Sequence, residues 1–129
     1  MKILIGEDHL LVREGVEQII RTLPEVDRVD EAASVDELMD RIQREVYDLV
    51  ILDVSISGVS GLDALQRIRK NKDRPNVLLY SFDPHRKHAM FAMRKGAAGF
   101  LANNSVYDEL VTAIRRIQRG GKYVSAETA

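Results

Sequence analysis

Leu49-Val50-Ile51-Leu52-Asp53 is the stretch that decides the fold. Four consecutive apolar residues without alternation are what a strand covered on both faces requires, and the run closes on an acid. Behind it, Val35, Leu38, Met39, Ile42 and Val46 recur at helical spacing after Ser34-Val35-Asp36-Glu37. That opening is a capping box, in which Ser34 and Glu37 satisfy each other's backbone donors. Further back, Arg28 to Ala32 reads as a weak strand. Val12, Val16, Ile19, Ile20 and Leu23 read as a helix stopped before Pro24, and Lys2 to Gly6 as a strand ending at Glu7 and Asp8. Ahead of Asp53, Val54 to Gly61 is a loop rich in Ser and Gly, and Ser60 caps a helix facing in through Leu62, Leu65 and Ile68. After Pro75, Val77 to Tyr80 is a strand ending at Ser81, and Ala89, Ala92, Met93 and Gly96 mark a fourth helix. Gly99 to Leu101 is a fifth strand ending near Asn103. Ser105 caps a last helix with Leu110, Ala113, Ile114 and Ile117 inward, which Gly120-Gly121 stops. Strand and helix alternating five times predict an α/β fold with a parallel sheet and helices on both faces, in one of the few topologies that right-handed crossovers leave.

Composition narrows the function. A chain of 129 residues, 45% apolar and 30% charged, fits one domain that buries its own core without a metal or disulfide staple. With 19 Lys+Arg against 20 Asp+Glu and a net charge of −1, it lacks the basic excess of a nucleic-acid-binding domain. There is no Cys, which removes disulfides, thiolate metal sites and cysteine nucleophiles and fits a reducing cytoplasm. No apolar run reaches the length of a membrane span, and the start, Met1 to Asp8, has a strand pattern and no signal-peptide layout.

In an open parallel sheet, ligands bind beyond the carboxyl ends of the strands. The residues there are Glu7 and Asp8, then Asp53, Ser81 and Asn103. Acids gathered at one edge raise each other's pKa, and a hard cation such as Mg²⁺, which takes carboxylate and phosphate oxygens, relieves them. An aspartate beside such an ion can attack phosphorus. A single acid after a strand is more often a turn residue or helix cap, and the residues alone leave both readings open.

Ile3-Leu4-Ile5-Gly6-Glu7-Asp8-His9, Asp48 to Asp53, Gly58-Val59-Ser60-Gly61-Leu62-Asp63-Ala64-Leu65 and Gly96-Ala97-Ala98-Gly99-Phe100-Leu101 together resemble bacterial response-regulator receiver domains, in order and over essentially the whole chain. Asp8-His9, Val12-Arg13-Glu14-Gly15, the Gly-Ala-Ala-Gly-Phe segment and Gly120 to Ser125 are similar to the LuxR/NarL/FixJ class, in which a receiver precedes a helix-turn-helix domain. The resemblance implies a CheY-like, three-layer αβα fold with a five-stranded parallel sheet in order 2-1-3-4-5. Residues 1–120 would be the receiver, and 121–129 the start of a linker to a DNA-binding output domain outside this chain. It implies a cytoplasmic signalling domain, not an enzyme. Asp53 would take phosphate from a sensor histidine kinase. Mg²⁺ would be held by Glu7, Asp8, Asp53 and the backbone carbonyl of Ser55. Ser81 would be the switch hydroxyl and Phe100 the aromatic switch residue. Glu7 stands where Asp is commoner.

Two positions depart from the family pattern. Asn103 occupies the place of the usual phosphate-binding Lys and carries no charge. This motivates an alternative, an atypical receiver acting through phosphorylation-independent dimerisation or protein interaction. Ser57 sits where Pro is usual, so a looser loop is expected. A phosphatase using Asp53 as nucleophile is disfavoured, because the second Asp such enzymes place two residues on is here Ser55. A dinucleotide-binding module is disfavoured by the lack of a Gly-rich loop after the first strand.

The remaining residues have plainer readings. His85 and His88, flanked by Arg86 and Lys87, suit a solvated helix start better than a metal pair. Asn103-Asn104-Ser105 matches a glycosylation sequon by coincidence. Arg115, Arg116, Arg119 and Lys122 suit the C-terminal turn of the last helix. Phe91 falls off the inward stripe of the fourth helix. It is either an isolated exposed residue or part of a contact surface of the fourth helix, fifth strand and fifth helix, the face that receivers commonly use to form homodimers or to dock their output.

Overall fold

A computed structural model describes residues 1–82 and 86–125. His85 and residues 126–129 of the expected linker lie outside the described residues.

The principal strands are β1 (Lys2–Gly6), β2 (Arg28–Ala32) and β3 (Leu49–Asp53). A small hairpin follows, β4 (Ser55–Ile56) and β5 (Val59–Ser60), and then β6 (Asn76–Ser81), β7 (Gly99–Ala102) and β8 (Tyr123–Val124). The helices are α1 (Leu10–Arg21), α2 (Val35–Arg44), α3 (Gly61–Arg69), α4 (Arg86–Arg94), the short α5 (Ser105–Asp108) and α6 (Leu110–Gln118). The main sheet is parallel in order β2-β1-β3-β6-β7-β8. Its first five positions are the expected doubly wound order. The sixth corrects the expected five-stranded sheet: Tyr123–Val124, expected as the start of a linker, adds to the edge of β7.

Both faces of β3 are buried, as its unbroken apolar run requires. Leu4, Val50, Leu52, Val77, Leu79 and Phe100 form a layer under α2, α3 and α4. Ile3, Ile5, Ile51, Leu78, Tyr80 and Leu101 form the opposite layer under α1 and α6. The period of two along each strand sends alternate side chains to the two layers.

The caps mostly follow the sequence. Ser34 accepts from the Glu37 amide at 3.1 Å, but the Glu37 carboxylate accepts from the Ala33 amide at 3.3 Å, one residue before the expected partner. Ser60 accepts from the Leu62 amide. Gly120 takes a left-handed φ of 88° and ends α6. Two expectations fail. α2 stops at Arg44, and Val46 lies beyond it, 63% exposed, not on its buried face. Ser105 does not cap the last helix: it is buried as the first residue of α5, and α6 starts only at Leu110.

The loop after Asp53 forms the turn of the β4–β5 hairpin. Ser57 and Gly58 both have positive φ, 50° and 74°, the pattern of a two-residue turn matched to the strand twist of a hairpin. Proline, fixed near −65°, cannot take the Ser57 conformation. The Ser57 hydroxyl donates to the Ala33 carbonyl at 2.8 Å and ties the hairpin to the end of β2.

Candidate functional site

The carboxyl ends of β1, β3 and β6 bring Glu7, Asp8, Asp53 and Ser81 to one edge of the sheet, as expected for a doubly wound fold. Asp53 is the last residue of β3 and is half-buried. Its Oδ1 accepts from the Ser55 amide at 3.1 Å, which turns the chain sharply away from the strand. The same turn is pressed from the other side by Gly61, whose amide donates to the Val54 carbonyl at 2.6 Å. A Cβ on Gly61 would stand 2.2 Å from the Asp53 carbonyl oxygen, so only glycine fits there.

Glu7 is fully buried. Its Oε1 accepts from the Tyr80 hydroxyl. Its Oε2 accepts from the His9 amide at 3.1 Å and meets His9 Nδ1 at 3.0 Å. Asp8 is more exposed and lies 3.5 Å from the same imidazole nitrogen. The Arg13 guanidinium donates to the Glu7 carbonyl, not to its carboxylate, and pairs with Glu31 at 3.2 Å.

Burial and close polar neighbours shift three groups at this edge. Burial, with the neighbouring Glu7 carboxylate adding to it, pushes Asp53 up to about 7. The hydrogen bond to Glu7 and the charge of Asp8 raise His9. Burial first, and then Glu7, raise the Tyr80 hydroxyl.

A cavity of about 540 Å³ opens at this edge, lined by His9, Val12, Asp53, Val54, Ser55, Ser81, Phe82 and His88. His88 thus faces the site, where the sequence suggested a solvated helix start. Asn103 does not line this cavity: it is exposed, with φ 53°. Phe100 is fully buried on the far side of β7, in the layer beneath α3 and α4. The sequence marks Tyr80 only as a strand residue; its hydroxyl is the polar neighbour of Glu7 that no sequence pattern reveals.

The donor set suits a hard divalent cation. Glu7, Asp8 and His9 each place a ligand atom within 4.8 Å of the others, and Asp53, raised by burial and then by Glu7, stands on the same edge. Carboxylate oxygens in this number match Mg²⁺. Elsewhere, two members of the basic cluster of the last helix are engaged within the chain: Arg115 with Glu25 at 3.1 Å, and Arg116 over the Tyr123 ring at 5.6 Å. Among the described residues no helix is long and apolar enough to cross a membrane.

A doubly wound parallel sheet with acids beyond its first and third strands and a hydroxyl beyond the next strand over defines a class of signalling domain. The chain belongs to the response regulator receiver domain family, whose model matches residues 3–115. It is 26% identical over 129 residues to the response regulator UvrY of Escherichia coli, covering 100% of this chain and 59% of that protein. It is 30% identical over 125 residues to the oxygen regulatory protein NreC of Staphylococcus carnosus, covering 96% of this chain and 58% of that one. The crystal structure of a LuxR-family two-component response regulator from Aurantimonas sp. SI85-9A1 superposes with a TM-score of 0.91 at 29% identity, over 98% of this chain and 91% of that one. These relatives agree with the LuxR/NarL resemblance of the sequence. The chain spans less than two thirds of the curated relatives it matches.

Proposed function

We propose that this chain is the phosphoacceptor domain of a two-component transcription regulator, with Asp53 receiving the phosphoryl group. The observation that supports this best is Asp53 itself: at the end of a doubly covered strand, half-buried, on the wall of a cavity shared with Ser81, and faced by Glu7. The donor is the phosphohistidine of a sensor histidine kinase. An Asp53 carboxylate oxygen attacks phosphorus; the new O–P bond forms as the histidine N–P bond breaks, and the released imidazole keeps the electron pair and takes up a proton.

For this, Asp53 must be anionic, although burial and then Glu7 favour the protonated form. When bound, Mg²⁺ supplies positive charge against the acids and the phosphoryl oxygens. Glu7, Asp8, Asp53 and the Ser55 backbone carbonyl would hold it. Ser81, which lines the cavity, would donate from its hydroxyl to a phosphoryl oxygen, with Phe100 repacking in response. The response passes to a DNA-binding output domain outside these 129 residues, in the cytoplasm, and through a homodimer formed by the face of α4, β7 and α6. Phe91, 38% exposed with Lys95 Nζ 5.4 Å from its ring, lies on the α4 part of that face. The test is incubation with Mg²⁺ and acetyl phosphate followed by intact mass. Wild type should gain one phosphate and Asp53→Asn none; an Asp53→Asn protein that still gains it overturns the assignment.

Asn103 favours a second reading. With a neutral, exposed side chain in place of the usual Lys, the domain would signal without phosphorylation, through dimerisation or another partner. A wild type that takes up phosphate with no change in its amide spectrum would support this reading.

A further inference from the structure

The Tyr80 hydroxyl sits where no sequence pattern placed it. Tyr80 belongs to β6 and pairs in register with Asp53 of β3, yet its side chain reaches across β3 to Glu7 at the end of β1. Its ring is held edge-on against Phe82, with centroids 5.9 Å apart, and Phe82 in turn packs on Tyr107 of α5 at 5.5 Å. The phenol is therefore fixed by packing, and its one donor ends on a carboxylate oxygen with no access to water. The other Glu7 oxygen is met by the His9 amide and imidazole. Both oxygens of the buried carboxylate are thus satisfied within the chain.

A buried carboxylate that lacks donors is costly, and such a group draws a cation to itself. One that is already satisfied draws it less. We propose that Tyr80 is a positioning residue for the acid cluster: its hydroxyl satisfies Glu7 in the metal-free protein and so lowers the affinity of the site for Mg²⁺. This inference rests on the Mg²⁺ site of the proposed function.

The experiment is calorimetric Mg²⁺ titration of wild type and Tyr80→Phe, with thermal melts with and without Mg²⁺. Phe keeps the ring packing and removes only the hydroxyl. The metal-free Tyr80→Phe protein should melt lower than wild type, and it should bind Mg²⁺ about tenfold more tightly, equivalent to ~1.4 kcal/mol. Its melting temperature should rise more on adding Mg²⁺ than that of wild type. Glu7→Gln, which keeps the side-chain length but not the charge, should abolish the effect: with Gln at that position, adding Tyr80→Phe should leave Mg²⁺ affinity unchanged. Equal or weaker Mg²⁺ binding by Tyr80→Phe alone would overturn the inference while leaving the metal site intact. Wild-type binding indifferent to Asp8→Asn would overturn the metal site and the inference together. If Tyr80→Phe does not fold, the double substitution Tyr80→Phe, Glu7→Gln should restore folding, because the unmet carboxylate is gone; failure to do so would also overturn it.

Discussion

The Asn103 backbone amide donates to the Ser81 carbonyl at 3.0 Å, tying the residue in the usual Lys position to the backbone of the proposed switch residue. The Asn103 side chain meanwhile is exposed, on a left-handed backbone with φ 53°. Asn tolerates that conformation better than other non-glycine residues. Two effects then oppose each other in Asn103→Lys. The ammonium would add a charge-assisted bond to a phosphoryl group, worth about 1.5–3 kcal/mol against about 0.5–1.5 for a neutral donor. The left-handed backbone would cost Lys up to about 1–2 kcal/mol. Asn103→Lys should therefore lower resting stability by denaturant melt while strengthening the beryllofluoride response, followed by amide shifts near Ser81 and Phe100. Asn103→Gly should keep stability and gain no response. A saturating response in wild type, unchanged by Lys, would show the missing charge to be supplied by another group.

Asp53 sets a pH dependence of known sign. Its folded pKa, about 7, lies above the ordinary 3.8, so between those values the folded protein holds a proton that the unfolded chain has lost. Stability should fall as pH rises from about 4 to about 7, and the full cost remains above that. His9, raised by Glu7 and Asp8, acts in the same sense around neutrality, so the comparison needs a variant. The melting temperature of metal-free wild type should drop across this window, and Asp53→Asn should lose part of that drop. The difference should be modest, because Asp53 is partly open to solvent. At a pH of about 8, above the raised pKa, Mg²⁺ should restore wild type and leave Asp53→Asn nearly unmoved. Parallel curves for the two proteins would place the shift elsewhere.

The sequence carried most of the frame, and the reasons differ residue by residue. Leu49 to Asp53 was legible because a doubly covered strand leaves an unbroken apolar run, and Glu7, Asp8, Asp53 and Ser81 followed from the rule that ligands sit beyond strand ends. Val46 misleads because it continues the helical spacing past the real end of α2 at Arg44. Ser57 reads locally as a missing Pro; only its φ shows that Pro could not fit. Tyr80 is invisible as a site residue because its partner is 73 positions away, and a tyrosine inside an apolar run has the pattern of core. β8 leaves no signal because two residues at a sheet edge have no periodicity to read.

Phe91 tests the proposed dimer face. It is 38% exposed and Met90 beside it 51%, whereas Ala89 and Ala92 carry the buried side of α4. Phe91→Asp should change stability by less than about 0.5 kcal/mol, the usual range for surface substitutions. Sedimentation of the phosphorylated or beryllofluoride-loaded protein should show wild type associating and the variant not. A large fall in melting temperature would place Phe91 in the core and remove it from the face.

Directly after the last strand, Ser125 anchors the end of the segment that follows α6. Ser125 is fully buried: its amide donates to the Phe100 carbonyl at 3.0 Å, and its hydroxyl accepts from the Ala102 amide at 3.2 Å. Both partners belong to β7, the strand that carries Phe100 and leads to Asn103. The segment after α6 is thus stitched to the strand that carries Phe100, the proposed aromatic switch residue. Ser125→Ala leaves the Ala102 amide buried without that acceptor, which should cost about 1–3 kcal/mol in denaturant melts. Ser125→Thr keeps the oxygen but adds a methyl group in a closed space, and should cost less than Ala only if β8 can shift outward. Amide exchange at Ala102 distinguishes loss of the bond from general loosening. In Ser125→Ala it should speed up at Ala102 while Val50 and Leu52, in the middle of the sheet, keep their relative protection. Unchanged exchange at Ala102 would show that β8 does not hold β7, and that residues 123–125 are a passive edge.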